Sequence, residues 1–367
     1  MIKTSESVLR GHPDKICDQV ADYILTELIK QDKDTRAGIE CIIKEELLVI
    51  AGEVTTKAIV DYKKLAKSCL EDIGLDSSEF DILEKISVQS SDIALGVDKG
   101  GAGDQGIMYG YAETGTEELM PLPILISRKL AARLDELNTR ETNIFGKDGK
   151  CQISVKYDND KPVAITTIVV SVQTRPGIVR DSYESFIRKA IDESIPNELI
   201  DNETKILINP TGEFVKGGSY ADSGLTGRKL QCDSYGGLAL HGGGAWSGKD
   251  LSKVDRSASY YARYIAKNIV AARLASKCEI GIAYAIGVDK PVSVSINTFG
   301  TSIYDEESLS KLIQNMFDFR PSSITKEIGV FDFFELASYG HVGVLINTLP
   351  WERLDKVEIL KELANDY

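Results

Sequence analysis

A chain of 367 residues is long enough for two or three domains of ordinary size, and an apolar content of 43% supplies real cores for them. A formal net charge of −13 and a pI near 4.9 argue against polynucleotide binding, which needs clustered excess positive charge, so local groups of Lys and Arg stand out against an acidic background. No stretch approaches the roughly 18 to 20 uninterrupted apolar residues of a membrane span. The six cysteines (Cys17, Cys41, Cys69, Cys151, Cys232 and Cys278) lie far apart, without a CxxC pair and with only three histidines to complete a zinc site. Together these features predict a soluble, cytoplasmic protein with reduced, buried thiols.

The chain opens on a polar loop, SESVLRGHPDK from Ser5 to Lys15, which runs into a helical stripe of Ile16, Val20, Ala21, Ile24, Leu25 and Leu28, with Pro13 suited to a first-turn position. From Cys41, CIIKEELLVIAGEVT reads as two strands joined by a turn, followed by an amphipathic helix opening near Asp61. A glycine-rich segment, Gly96 to Gly106, comes next. The strand, strand, helix unit then recurs from Cys151, with its helix opening near Asp181, and from Cys278, with its helix opening near Asp305. Cys151, Ile153, Val155 and Tyr157 alternate as Cys278, Ile280, Ile282 and Tyr284 do. Two further glycine-rich, charged loops separate these units, Asn209 to Lys229 and His241 to Ala258. The second leads into a stripe of Ala258, Tyr261, Ala262, Ile265, Ala266, Ile269 and Val270. The repeats are too long for a solenoid, so an α/β (α+β) fold of three similar strand-strand-helix domains is expected, spanning residues 1–100, 101–231 and 232–367.

Glycines let backbone N–H groups approach an anion, and the three loops combine them with charged side chains. Gly243, four intervening residues and Gly248-Lys249 match most of a phosphate-binding P-loop, but Asp250 stands where a Ser or Thr hydroxyl would hold Mg²⁺. Arg228, Lys229, Lys249 and Lys253 concentrate positive charge that suits a triphosphate. Lys249 and Lys253 would share a face if their segment were helical. Asp14, Glu40, Asp104, Asp148, Asp222, Asp250 and Asp255 lie in or beside the loops, and Mg²⁺ prefers a few carboxylates completed by phosphate oxygens. Any one of them also reads as a cap or a solvated charge, and Asp255, at the start of a helix, as an N-cap. His12 precedes a helix N-terminus, itself an anion site, and stands beside Asp14, which sets it above His241 and His341 as a functional histidine. No Ser/His/Asp or Cys/His constellation emerges. Positioning and charge neutralisation around a polyphosphate, with little proton transfer, are the chemistry expected.

SESVxxGHPDK, GAGDQG, INPTG, SGLTGRK, HGGGAxSGKDxSKVDRSA and KNIVAA, in this order from Ser5 to Ala272, resemble the S-adenosylmethionine synthetase (methionine adenosyltransferase) family. The resemblance covers essentially the whole chain. It implies three domains related by pseudo-threefold symmetry and a homodimer, often paired into a tetramer, with active sites between subunits. It also implies a reaction of ATP, L-methionine and water to S-adenosylmethionine, phosphate and pyrophosphate, with Mg²⁺ and K⁺ as cofactors. On this likeness the GxxxxGK match is accidental, although Lys249 still belongs at the triphosphate. His12 matches the family's histidine at the leaving oxygen; Lys150, Arg228, Lys249 and Lys253 match its phosphate and catalytic cations, and Asp104 a catalytic carboxylate. Asp148, Phe214, Asp222, Lys229 and Ala245 match further ATP contacts. Glu53, Leu95, Asp222 and Lys253 fall at the methionine end, Asp14 and Asp255 match Mg²⁺ ligands, and Glu40 matches the K⁺ ligand.

The sequence also departs from the family pattern. Few residues separate GVD from GAGDQG, leaving almost no lid. Leu95 replaces a glutamine beside methionine, Glu213 an arginine, Arg10 an acidic residue and Trp246 a phenylalanine. Three alternatives therefore stand beside methionine adenosylation: a paralogue acting on another thioether, a non-catalytic ATP-binding regulatory subunit, and a triphosphate hydrolase.

Overall fold

All three hairpins expected from the sequence form, and each is extended by a strand from elsewhere in the chain. A computed structural model describes residues 1–88, 101–344 and 349–364. Its strands are β1 (Ile2–Val8), β2 (Arg36–Lys44), β3 (Leu47–Thr55), β4 (Asp81–Ser87), β5 (Gly106–Glu113), β6 (Phe145–Asp158), β7 (Lys161–Thr174), β8 (Lys205–Ile208), β9 (Gly224–Leu225), β10 (Lys277–Tyr284) and β11 (Ser293–Asn297). Helices at Tyr62–Ile73, Arg180–Ser194 and Glu306–Met316 follow the hairpins β2–β3, β6–β7 and β10–β11. Asp61 and Asp305 cap the first and third of these by accepting the N–H groups of Lys64 and Ser308, while Asp181 lies inside the first turn of the second.

The sheets run β9-β2-β3-β4, β1-β6-β7-β8 and β5-β10-β11. In each, the leading hairpin strand pairs antiparallel with a strand from a distant segment. In the first two, the strand after the helix returns parallel to the second hairpin strand. The strand-strand-helix unit is thus built three times on one plan. Residues 2–8 serve the sheet of the second hairpin and residues 106–113 the sheet of the third, so the units interlock.

Two helices expected from apolar stripes join the units. Pro13–Gln31 begins with Pro13, whose missing N–H costs nothing in a first turn, and every residue of its stripe is at most 1% exposed. Val254–Ala271 is enclosed on nearly all sides, so its charged residues must be paired: Arg256 meets Asp22, and Arg263 and Lys267 meet Glu352. Gly110 lets this helix lie directly on β5, since a Cβ there would stand 2.0 Å from the carbonyl carbon of Ala262. The second sheet packs a core of its own around Leu130, Leu134, Phe145, Ile153 and Ile168. All six cysteines are buried and free, as expected.

The loop before the first helix is tied down by Arg10. Its guanidinium reaches the Asp72 carboxylate at 2.5 Å and Gln19 at 2.8 Å, and its N–H donates to Asp135 at 3.0 Å. Asp135 also accepts the Tyr339 hydroxyl at 2.8 Å. Burial raises the Asp135 carboxyl from 3.8 to about 6, against those two hydrogen bonds. With its folded pKa above its unfolded one, Asp135 binds its proton more tightly when folded, so its effect is to lower stability as pH rises from about 4 to about 6. Asp135→Asn keeps an acceptor oxygen for both donors and removes the ionisation. It is expected to raise stability near neutral pH by about 2 kcal/mol, measured by urea denaturation, with the gain vanishing toward about pH 4. A loss at neutral pH would show that the charge itself is needed.

Candidate active site

One cluster grows from the N-terminus of the helix Pro13–Gln31. His12 is the N-cap, its Nδ1 accepting the Asp14 N–H at 3.2 Å. The buried Asp14 carboxylate accepts the Leu225 N–H at 3.0 Å and the Lys229 ammonium at 2.6 Å, with Arg228 Nε 3.4 Å away. Burial pushes the Asp14 carboxyl up, but the Lys229 and Leu225 hydrogen bonds outweigh it and hold it below its ordinary value. His12 is lowered to about 4, by burial first and by the Lys229 charge second, with Asp14 opposing and Lys150 adding. The imidazole is therefore neutral near physiological pH. Because Nδ1 accepts a hydrogen bond, the ring proton is assigned to Nε2, which is left as a donor.

Lys150 stands on β6 opposite Val8 and pairs with Glu6 at 2.7 Å. Asp148 accepts the Gly218 N–H at 2.8 Å; burial lifts its carboxyl to about 6, while its bonds from Gly218 and Gly149 oppose. Asp222 is exposed, and its charge is felt by both His12 and Asp148. Phe214 is half-buried nearby along the chain, its carbonyl accepting the Thr174 N–H at 2.8 Å.

A second cluster lies on the loop ahead of Val254–Ala271. Lys249 and Lys253 are not helical and do not share a face. Gly248 adopts φ 81°, Lys249 bridges to Gly38 of β2, and Asp250 accepts the N–H groups of Ala37 and Ser252 at 2.8 and 2.7 Å, which holds the segment out of a helix. The ammonium groups diverge, Lys249 to Asp255 at 2.7 Å and Lys253 to Asp250 at 3.3 Å. Lys253 takes the N-cap position, so Asp255 pairs with Lys249 instead of capping. Since a P-loop passes from its Gly-Lys directly into a helix, and this helix starts only at Val254, the GxxxxGK match is not a P-loop. Glu40 lies between the charges of Lys249 and Glu53; burial raises its carboxyl, Lys249 opposes and Glu53 adds. Gly38 makes room for Glu53, whose Oε1 would be 2.7 Å from a Cβ there. Gly227 packs against Ala245 and brings the two loops side by side.

Asp104 is not brought to either cluster. It is exposed and accepts the N–H of its neighbour Gln105 at 2.7 Å, and among the described residues no hydrogen bond or ion pair links it to the other candidates. Leu95 and residues 96–100 lie outside the described residues. His341 is fully buried, its Nδ1 sharing a hydrogen bond with the Tyr260 hydroxyl at 2.6 Å, and His241 packs its ring 5.3 Å from that of Trp246.

The frame beneath both clusters is absent from the sequence reading. Asp14, Asp18 and Asp22 follow one face of the first helix, and each accepts a backbone N–H from a cation-bearing loop, those of Leu225, Gly227 and Gly248 at 3.0, 2.8 and 2.8 Å. Each also meets a cation: Lys229, Lys15 and Arg256 respectively. An aspartate at every fourth residue inside an apolar stripe was the available signal, because it places carboxylates on a buried face where they must find partners. Among the described residues no three His, Cys, Asp or Glu side chains gather as a protein-only metal cage. Single carboxylates beside lysine and arginine side chains would fit a divalent ion completed by phosphate oxygens.

Three family models match the chain along its length: S-adenosylmethionine synthetase N-terminal domain over residues 1–94, central domain over 99–214 and C-terminal domain over 216–353. The chain is also similar to a solved structure of an unusual S-adenosylmethionine synthetase from Campylobacter jejuni, at 39% identity over 99% of each chain and a TM-score of 0.93.

Proposed function

Because the chain belongs to the S-adenosylmethionine synthetase family, we propose that it transfers the adenosyl group of ATP to the sulfur of L-methionine and that water then cleaves the triphosphate to phosphate and pyrophosphate before release. The observation that carries this reading is the pairing of Arg228, Lys229 and Lys249 with the single carboxylates Asp14 and Asp255, beside a neutral His12. A thioether has no proton to lose. Its lone pair forms the S–C5′ bond as the C5′–O bond breaks, and the electron pair leaves on the triphosphate, so the barrier lies in the leaving group's charge.

In this reading His12 donates from Nε2 to the leaving oxygen, and Arg228, Lys229, Lys249, Lys253 and Lys150 hold the phosphates. Asp14 and Asp255 would hold Mg²⁺, which adds positive charge against the same oxygens when bound, and Glu40 would hold K⁺. Asp148, Phe214, Asp222 and Ala245 receive the nucleoside, while Glu53, Asp222 and Lys253 receive methionine. Asp104 completes the set from another subunit.

One feature supports a homodimer with shared sites. Ile42, Leu47 and Leu83 are exposed on one face of the first sheet, which runs on to Glu40 and Glu53, and a second copy covering that apolar face would border the second cluster. A different thioether as acceptor is the second reading, favoured by Leu95, which cannot hydrogen-bond a zwitterion; competition between methionine and ethionine separates the two.

His12→Asn tests the catalytic assignment. The rate of sulfonium formation is expected to fall by about 10²-fold while ATP binding stays within about threefold, because the contact strengthens only as charge develops on the leaving oxygen. Equal losses in both would make His12 a structural cap.

A further inference from the structure

We propose that Asp18 is a positioning residue that fixes the loop carrying Arg228 and Lys229, as Asp22 fixes the loop carrying Lys249. Asp18 is fully buried, and its Oδ1 accepts the N–H of Gly227, the residue immediately before Arg228. Asp22 is equally buried and accepts the N–H of Gly248, immediately before Lys249. Both glycines have positive φ, 77° and 81°, so each loop turns sharply where it is held.

Each anchor is backed by buried polar groups. Lys15 lies 3.1 Å from Asp18 and also bonds Asp233, whose carboxylate is 4.0 Å from His341 Nε2. His341 shares a 2.6 Å hydrogen bond with the Tyr260 hydroxyl, which accepts Arg256 Nε at 3.0 Å, and Arg256 grips Asp22 through two bonds of 2.7 and 2.9 Å. Lys15, His341, Tyr260 and Arg256 are each at most 1% exposed, and among the described residues Asp18 Oδ2 and His341 Nε2 make no hydrogen bond, so the hold on each loop rests on the Gly227 and Gly248 bonds and on the Lys15 and Arg256 ion pairs. A loop held this way presents its cations in one place, which is what preorganised stabilisation of a leaving group requires.

The inference rests on the reading that the loop of Arg228 and Lys229 binds phosphate, and one set of variants separates the two. Tripolyphosphate binding by calorimetry and sulfonium formation with ATP and methionine are compared for the unmodified protein, Lys229→Ala, Asp18→Ala and Asp18→Asn. Asp18→Asn keeps an acceptor for Gly227 and leaves Lys15 with Asp233. The expected result is that Lys229→Ala and Asp18→Ala each weaken tripolyphosphate binding about tenfold or more. Asp18→Ala should lower kcat by a similar factor with the methionine KM within about twofold, and Asp18→Asn should restore most of both. If Lys229→Ala weakens binding and Asp18→Ala does not, the positioning role is overturned and the phosphate reading stands. If neither weakens it, the phosphate reading falls and takes the positioning role with it. Should Asp18→Ala fail to fold, hydrogen exchange in the unmodified protein decides: the Gly227 and Gly248 amides are expected to exchange as slowly as amides in the middle of Pro13–Gln31, and fast exchange at either one overturns the anchor.

Discussion

Lys249→Ala or Lys253→Ala is expected to lower the rate of sulfonium formation by about 10²-fold or more. The size follows from the chemistry proposed for the site. With a neutral nucleophile and no proton transfer, acceleration must come from positive charge placed where the triphosphate departs, and one preorganised contact of that kind is worth roughly 3 kcal/mol. Each lysine sits on a loop held rigid from below, and neither is deeply buried, at 21% and 17% side-chain exposure. Removing the Lys249 ammonium should therefore cost rate with little change in folding, whereas Lys253→Ala also takes a cation from Asp250, which is 2% exposed, and should cost some stability as well. Lys249→Ala leaves Asp255 partly exposed and solvated, so the variant is expected to melt within a few degrees of the unmodified protein. A loss of rate below about threefold would remove that lysine from the site.

Arg256→Met is expected to destabilise the fold by about 3 to 5 kcal/mol. Arg256 and Asp22 are both 0% exposed, and a buried carboxylate deprived of its partner retains its desolvation cost without the offsetting charge. The direction with pH follows. Burial already raises the Asp22 carboxyl even with Arg256 opposing, so without the guanidinium it rises further, and the variant's deficit should grow as pH increases from about 4 toward neutrality. Adding Asp22→Leu should recover part of the loss but not all, because the Gly248 N–H then lacks its acceptor. Urea denaturation of the two variants across pH checks both statements; a pH-independent deficit would mean that stacking of the Arg256 guanidinium over the Phe333 ring dominates.

The repeated hairpins were legible because alternation of Cys151, Ile153, Val155 and Tyr157 reports a strand with one buried face, and that face is buried. The long helices were legible from their stripes. Which strands would join which sheet was not, because pairing of Ile2–Val8 with Phe145–Asp158 depends on contacts between segments far apart in the chain. At the site, the motif order pointed to His12, Asp14, Arg228 and Lys229, which the fold brings together. The segment of Lys249 and Lys253 was conditionally read as helical because spacing alone does not show that Gly248 turns and Asp250 pins the backbone to Ala37. The four-residue spacing of Asp14, Asp18 and Asp22 signals buried carboxylates, but which loops Asp18 and Asp22 hold depends on contacts with Gly227 and Gly248, more than 200 residues away.

The most direct measurement is the fate of ATP carbon and phosphorus together. Purified protein is incubated with ATP, L-methionine, Mg²⁺ and K⁺, the sulfonium product is quantified by mass, and the phosphorus products are resolved by ³¹P NMR. Adenosyl transfer predicts one sulfonium for each ATP consumed, with phosphate and pyrophosphate formed in equal amounts and no ADP. ATP consumption without any sulfonium, or ADP as the nucleotide product, would contradict it and leave triphosphate hydrolysis as the activity of this site.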